Sequence, residues 1–153
     1  MSVLEKIKEI LDSLSIEYDL LNHEPVYTSA DAAKIRDTGL SSGAKTLVFM
    51  ADGNPILIVV PGDKKVDLRK FKQKFNVKDL RMASITEVKE ITTLEVGSIP
   101  PVGKAMNLKS YFDSSFLEKE VVAFNAGSHS VSIRMKAKDL IKVENPVIYE
   151  FKQ

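Results

Sequence analysis

One lysine, Lys45, stands where a turn of small residues leads into a strongly apolar segment. It follows Gly43 and Ala44, and the β-branched and aromatic residues at 46–50 predict a buried strand. An ammonium group at the mouth of a core strand is costly to bury without an anion, so the position predicts a cleft for a phosphate, a carboxylate or a developing oxyanion. The alternative is a lysine whose stem packs on the sheet edge while its head stays in water.

Two glycines, Gly97 and Gly127, lie in segments suited to binding through the backbone. A glycine lets N–H groups approach a ligand closely because no side chain intervenes. After Gly97, the pair Pro100 and Pro101 stiffens the chain and removes two donors, which predicts a fixed wall.

A basic segment covers residues 64–81, where eight basic residues and two acidic ones give a net charge of +6. A field of that sign attracts polyanions although the whole chain carries only +1. The alternative is a solvated helix face. Because the segment directly follows the strand pair that includes Lys45, we predict contacts with a phosphate backbone. The residues predicted to make them are Lys65, Arg69, Lys70 and Lys72.

Side-chain acid and base chemistry has little support. The two histidines, His23 and His129, lack metal-ligand spacing, and no cysteine is present, so neither a metal site, a thiolate nucleophile nor a cofactor is expected. Ser128 adjoins His129, but neighbouring side chains on a strand point to opposite faces, which argues against a serine triad. We interpret His129 as a surface or packing histidine.

Composition predicts one domain spanning residues 1–153. The chain is 44% apolar and 28% charged, a composition that can form a hydrophobic core. Its 153 residues are too few to require two domains. It opens directly into an amphipathic helix, so no signal peptide is expected, and no apolar run approaches a membrane span. We therefore expect a cytoplasmic protein with no membrane partner.

The elements that must position these residues follow from capping and periodicity. Helices are predicted at 2–14 with Ser2 as N-cap and from Ser29, which is the predicted capping residue of a short second helix. Further helices are predicted at 67–75 with Asn76 as terminator, from the capping box at Ser84 to about Ile91, and at 137–141. Strands are predicted at 16–22, at 46–50 and 56–60 as a hairpin, and at 121–124 and 131–135 joined at 126–128, with a loop at 37–43. Without regular βαβ alternation, this order favours an α+β domain.

Five segments occur in an order that resembles the YbaK family of aminoacyl-tRNA deacylases, which are related to the editing insertion of bacterial prolyl-tRNA synthetases. These segments are 23–28, the Lys45 motif, 56–63, the Gly-x-x-x-Pro loop at 97–101 and the strand end at 124–128. The resemblance runs from about His23 to Val143. It implies a mixed, mostly antiparallel curved sheet with flanking helices.

The resemblance also implies roles for residues. Lys45, Gly97 and Gly127 are the expected catalytic residues. Expected substrate-binding residues are His23, Tyr27, Thr28, Ser98, Ile99, Pro100, Pro101 and Ser128. The family is often basic or bulky just after the last glycine, whereas this chain has Ser128-His129-Ser130, which leaves the preferred amino acid open.

The resulting hypothesis is a free-standing trans-editing hydrolase that removes a wrong amino acid from tRNA. An aminoacyl ester is already activated, so the protein has to hold it, orient water and stabilise the tetrahedral oxyanion. The expected partners are the acceptor end of aminoacyl-tRNA and, as a second candidate, a synthetase. The alternative is a non-catalytic module of the same fold that binds a nucleotide, the tRNA terminus or a synthetase.

Overall fold

The computed structural model describes residues 1–36 and 38–153. Asp37, the first residue of the predicted loop at 37–43, lies outside them; the rest of that loop includes a short 3₁₀ turn, Leu40–Ser42. The helices are α1 (Val3–Ser13), α2 (Ser29–Arg36), α3 (Leu68–Phe75), α4 (Ile85–Thr92) and α5 (Ala137–Glu144). The strands are β1 (Tyr18–Asn22), β2 (Ala44–Ala51), β3 (Asn54–Pro61), β4 (Leu80–Met82), β5 (Ser110–Asp113), β6 (Val121–Ser128), β7 (Val131–Lys136) and β8 (Val147–Tyr149).

The strands form two sheets, which confirms an α+β fold with mixed pairing. One sheet has the order β1-β7-β6 and is antiparallel. The other has the order β4-β2-β3-β5-β8, with antiparallel pairs around β2 and parallel pairs around β5. An isolated parallel bridge between Gly43 and Ala123 joins them just before β2.

Local signals set the ends of α1, α3 and α4 close to their predicted positions, whereas α5 continues to Glu144, past its predicted end at Ile141. Ser2 and Ser84 each close a capping box with the glutamate three residues later, at the starts of α1 and α4. The carboxylate of Asp67 caps α3, and Asn76 ends it in the left-handed conformation. At α2 the cap differs from the prediction, because the hydroxyl of Thr28, rather than that of Ser29, accepts the N–H of Asp31 at 3.0 Å.

The core lies on both faces of the larger sheet. Val59 faces the cluster formed with α1, α5 and the smaller sheet, and its neighbours Ile58 and Val60 face a second cluster around Phe71 of α3. β3 is buried on both faces of the sheet, which explains why its sequence is apolar without alternation. This rigid strand pairs with β2 along its whole length and so fixes Lys45 opposite Val60.

Two features of the strands differ from the prediction. β6 continues through Ser128, with a register shift between Asn125 and Ser128, so the connection to β7 lies at His129 and Ser130 rather than at 126–128. The short strands β4, β5 and β8 had no predicted counterpart. Each has three or four residues, too few to show a period of two, and depends on a neighbour distant in sequence.

Candidate active site

A cleft of about 160 Å³ lies where the start of α2, the start of β2 and the loop after α4 meet. It contains five of the residues predicted to contact substrate or act on it: Tyr27, Thr28, Lys45, Gly97 and Ile99. Tyr27 is 74% exposed at the rim. Thr28 places the N-terminus of α2 on the cleft, because its hydroxyl is the helix cap. Residues from separate segments of the sequence thus converge on one opening.

Lys45 is half-buried, and its ammonium donates a hydrogen bond to the backbone carbonyl of Lys64. Burial lowers the pKa of Lys45, and the nearby charge of Lys65 lowers it further, while Asp63 acts in the opposite direction. Within residues 1–36 and 38–153, no carboxylate lies within 4.0 Å of the ammonium. Lys45 is therefore a partly desolvated cation whose charge is not neutralised by an ion pair.

Gly97 occupies the third position of a β-turn, Glu95 to Ser98, that the Ser98 N–H closes by donating to the Glu95 carbonyl at 3.1 Å. Its φ of +89° belongs to a type II turn, which requires glycine at this position. Among the described residues the N–H of Gly97 has no hydrogen-bond acceptor. A Cβ built on Gly97 would lie 3.1 Å from Cε1 of His129, so the site is also crowded.

Arg36 and Asn125 line the cleft and hold the Gly97 turn in place. The Arg36 guanidinium donates to the amide oxygen of Asn125 at 2.7 Å, and the Asn125 amide nitrogen donates to the carbonyl of Gly97 at 2.7 Å. Arg36 is only 5% exposed, and burial lowers its pKa to about 10. These hydrogen bonds connect α2 to the turn through β6, a link that was not predicted from the sequence.

His23 does not line the cleft but belongs to the same network. Its Nε2 lies 2.8 Å from the hydroxyl of Ser132, which also accepts a 2.9 Å hydrogen bond from Nε of Arg36. Its Nδ1 lies 2.8 Å from the backbone carbonyl of Glu24, the local turn contact. His23 therefore supports Arg36 from behind the cleft rather than facing a ligand there.

A second cavity of about 360 Å³ lies on the other side of the Gly97 turn and is lined by four of the predicted residues, Tyr27, Ser98, Gly127 and Ser128. Tyr27 lines both openings, and its ring lies 4.6 Å from that of His129, between centroids. Gly127 has a φ of +89°, and its N–H donates to the carbonyl of Ser98 at 2.9 Å. Gly127 therefore provides backbone shape and supports the turn, and its N–H is not free to bind an oxyanion.

His129 packs as predicted. Its side chain is 13% exposed, its Nδ1 lies 3.1 Å from the carbonyl of Val26, and its Nε2 lies 3.6 Å from the exposed carboxylate of Glu95. It thus supports the Gly97 turn from the side opposite Asn125. Among the described residues, the side chains of Ser128 and His129 share no hydrogen bond.

The two prolines and the basic segment lie outside the cleft lining. Pro100 and Pro101 are buried behind the turn, so they support it from within the core rather than facing the cleft. Lys65 and Arg69 are exposed, and Lys70 and Lys72 are half-buried on α3. Lys65 is close enough to Lys45 to lower its pKa, which places the start of the basic segment next to the cleft.

The arrangement can bind and stabilise negative charge but cannot readily transfer protons. Lys45 and Arg36 bring two positive charges to the cleft, and none of the described residues that line it is acidic or a histidine. In the part of the chain that the structure describes, no three histidine, cysteine or acidic side chains cluster as metal ligands would. Positioning and electrostatic stabilisation are therefore the chemistry available.

Known proteins resemble the chain in sequence and in fold. The family model described as the aminoacyl-tRNA editing domain matches residues 23–143. The chain is 28% identical, over 97% of its length and 92% of the relative's, to the multifunctional Ser/Thr-tRNA deacylase ProXp-y of Escherichia coli strain K12. It is also 28% identical, over 87% of its length and 85% of the relative's, to the prolyl-tRNA editing protein ProX of Acetoanaerobium sticklandii. The crystal structure of the hypothetical protein APE2540 superposes with a TM-score of 0.87 at 26% identity, covering 97% of this chain and 99% of that one.

Proposed function

The chain belongs to the aminoacyl-tRNA editing domain family, and on that premise we propose that it is a trans-editing hydrolase that deacylates mischarged aminoacyl-tRNA. The observation that carries the proposal is the pairing of a desolvated ammonium, Lys45, with the unpartnered N–H of Gly97 in one cleft of the described chain. Both are donors, and both are held by the surrounding structure. Such a pair suits an ester whose carbonyl oxygen becomes negatively charged during attack by water.

In the proposed reaction, water attacks the carbonyl carbon of the aminoacyl ester on the terminal adenosine of tRNA. A neighbouring ribose hydroxyl or the amino group of the amino acid directs the water, so no side-chain base is needed. The carbon–oxygen bond to the ribose then breaks, the ribose hydroxyl takes up a proton, and the free amino acid leaves. Lys45 holds the ester or the terminal nucleotide, and the Gly97 N–H stabilises the tetrahedral oxyanion.

The rest of the tRNA acceptor end is proposed to bind outside the cleft. The exposed ring of Tyr27 stands at the rim, where it can stack on the terminal base. The basic segment begins beside Lys45 and offers Lys65, Arg69, Lys70 and Lys72 to the phosphates. Ser98 and Ser128 are proposed to contact the substrate from the second cavity, which shares Tyr27 with the cleft.

The setting of the reaction is also a proposal. We place residues 1–153 in the cytoplasm, where aminoacyl-tRNA is consumed, as a single deacylase domain with a synthetase as its second partner. Among the described residues, no helix is long and apolar enough to cross a bilayer.

The test is turnover on a panel of tRNAs that each carry a wrong amino acid. Purified protein should release the amino acid from at least one of them in single-turnover assays, and Lys45→Met should do so about 10² to 10³ times more slowly. The replacement of Lys138 by methionine, on the exposed side of α5, is a matched control that should keep the wild-type rate. Binding of tRNA without release by the wild type would support a non-catalytic module instead.

A further inference from the structure

The ring of Tyr27 lies where the two openings of the site meet, since Tyr27 lines both the cleft and the second cavity. The residue is 74% exposed. An exposed aromatic side chain samples several rotamers and has to be ordered when a ligand stacks on it, which weakens binding. The groups against which Tyr27 packs therefore decide how well it can receive a planar ligand.

The imidazole of His129 packs against the ring of Tyr27. The two centroids lie 4.6 Å apart and the planes differ by 37°, which is closer to stacking than to an edge-on contact. His129 is only 13% exposed and lines the second cavity alone. One face of the Tyr27 ring is thus covered, and the large exposure of the residue leaves the opposite face open to a planar group.

His129 is itself fixed to Val26, the residue that leads into Tyr27. Its Nδ1 lies 3.1 Å from the carbonyl of Val26, and because a carbonyl can only accept, Nδ1 carries the hydrogen. The N–H of Val26 donates in turn to the backbone carbonyl of His129 at 3.0 Å. Val26 is buried. One residue therefore binds both backbone polar groups of Val26 and supports the side chain that follows it.

The same imidazole lies against the turn that presents the Gly97 N–H. A Cβ built on Gly97 would lie 3.1 Å from Cε1 of His129, so the ring is in contact with this backbone. Tyr27 and Gly97 both line the cleft. A nucleotide whose base stacks on Tyr27 can therefore place its ribose ester at the cleft.

We propose that His129 is a positioning residue that holds Tyr27 as a preformed stacking surface for the terminal nucleobase of tRNA. The inference rests on the proposed function and deepens it, because it adds recognition of a base to recognition of phosphates. His129 does not touch the nucleotide. It reduces the ordering that Tyr27 undergoes when the base stacks on the open face of its ring.

The experiment isolates the base from the rest of the terminal nucleotide. Two uncharged tRNAs are compared that differ only in their last residue, which carries adenine in one and keeps only its ribose and phosphate in the other. The ratio of their dissociation constants measures what the base contributes. We expect a ratio of roughly 5 to 150 for the wild type, the range given by stacking of one base on an aromatic side chain. Tyr27→Ala should bring the ratio close to unity.

His129→Asn removes the ring and keeps an amide donor for the Val26 carbonyl. It should lower the ratio by about 2- to 10-fold, because Tyr27 then has to be ordered on binding, and it should leave the affinity for the tRNA without the base unchanged. A merely structural defect would weaken both tRNAs alike and would leave the ratio at the wild-type value. Ser130→Ala, at the next residue of the same turn, is the matched control and should keep that value.

Two further variants show whether His129 acts through Tyr27. His129→Phe keeps an aromatic ring against Tyr27 and should retain most of the ratio. The double variant of Tyr27→Ala and His129→Asn should have the ratio of Tyr27→Ala alone, since nothing remains for His129 to position. A ratio below that of Tyr27→Ala would show direct contact between His129 and the base, and it would overturn the positioning role. A ratio close to unity in the wild type would overturn it as well.

Deacylation assays on the same variants separate this inference from the proposed function. If the wild type releases an amino acid from tRNA but His129→Asn keeps the wild-type ratio, the inference is overturned and the deacylase function stands. If the ratios follow the expected order but no aminoacyl-tRNA is hydrolysed, the stacking surface is supported and the deacylase function fails.

Discussion

Arg36 and Asn125 lie 89 residues apart in sequence and are joined by a 2.7 Å hydrogen bond at the floor of the cleft. Arg36 contributes the charge and Asn125 contributes the contact with Gly97, since its amide nitrogen donates to the Gly97 carbonyl. A carboxylate at position 125 would strengthen the first contact and remove the second. The two contributions can therefore be separated by one substitution.

We predict that Asn125→Asp stabilises the fold and impairs the enzyme. The new carboxylate pairs with the buried Arg36 guanidinium, which should raise the unfolding temperature. It cannot donate to the Gly97 carbonyl, and a misplaced turn should slow single-turnover deacylation by roughly 10- to 100-fold. A variant that is both more stable and fully active would show that Asn125 does not position the turn.

Lys45→Met should lose activity without losing stability. Methionine keeps most of the stem and deletes the charge, so the rate should fall by about 10² to 10³, the range found when one oxyanion-stabilising donor is removed. Burial lowers the pKa of Lys45, so its charged form disfavours folding at neutral pH, and this effect diminishes as pH rises through the folded-state pKa. The unfolding temperature of Lys45→Met at pH 7 should thus match or exceed that of the wild type.

Lys45→Arg tests position rather than charge. A planar guanidinium cannot reproduce a compact ammonium between the Lys64 carbonyl and the cleft, so this variant should also be slow. Wild-type rates for Lys45→Met would mean that Lys45 is a surface lysine whose stem packs on the sheet.

Gly97→Val should abolish deacylation. Its φ of +89° is strained for a β-branched residue, and the new side chain would crowd His129, so the turn that presents the Gly97 N–H should be displaced. Gly53→Val is the matched control, because Gly53 has a φ of +83° but no described atom within 4 Å of a built Cβ. It should cost stability and spare activity. Pro101→Ala, which acts only from behind the turn, should be milder than Gly97→Val.

Neutralising two exposed residues of the basic segment should weaken tRNA binding. With Lys65→Gln and Arg69→Gln combined, the slope of log affinity against log salt should flatten by roughly 0.7 to 0.9 for each phosphate that the variant no longer neutralises. The fold should hardly change, because both side chains are exposed. Lys6→Gln combined with Lys138→Gln removes the same charge from exposed positions on α1 and α5, and it should leave the slope unaltered. Equal slopes for both pairs would identify the segment as a solvated helix face.

The carboxyl group of Glu87 should titrate far below its usual range. Arg81 donates two hydrogen bonds to it at 2.7 and 2.9 Å, and the Ser84 N–H donates a third, which together lower its pKa to about 2. A depressed pKa contributes stability above the ordinary value of 4.5, and this contribution is lost as pH falls toward 2. Side-chain NMR titration of wild type and Arg81→Gln should show the pKa rising toward 4.5 in the variant.

The features that could be predicted from the sequence are those encoded by near neighbours. Ser2, Asp67 and Ser84 cap helices through contacts three residues away, and the Asp52-Gly53 turn sets the register of the β2–β3 hairpin. Lys45 was identifiable because it contrasts with the apolar strand that follows it. It lines the cleft, and its catalytic role stays a prediction.

The hydrogen-bond network behind the turn could not be predicted, because its members meet only in the folded chain. Arg36 is unremarkable in a short polar helix, and its partner Ser132 lies 96 residues away. Asn125 carried a usable signal, since it interrupts the apolar run of β6.

The resting partner of Lys45 has a consequence for how substrate enters. A lysine bound to a carboxylate would have to give up an ion pair before it could bind an ester. Lys45 has to give up only its hydrogen bond to the neutral carbonyl of Lys64. A hydrogen bond to a charged group typically contributes about 1.5 to 3 kcal/mol, and the incoming substrate oxygen replaces it with one of the same kind. Replacing one hydrogen bond by the other therefore changes the free energy little. The carbonyl that is released belongs to Lys64, the first residue of the basic segment. Occupation of the cleft is thereby linked to the conformation of the chain that receives the tRNA backbone.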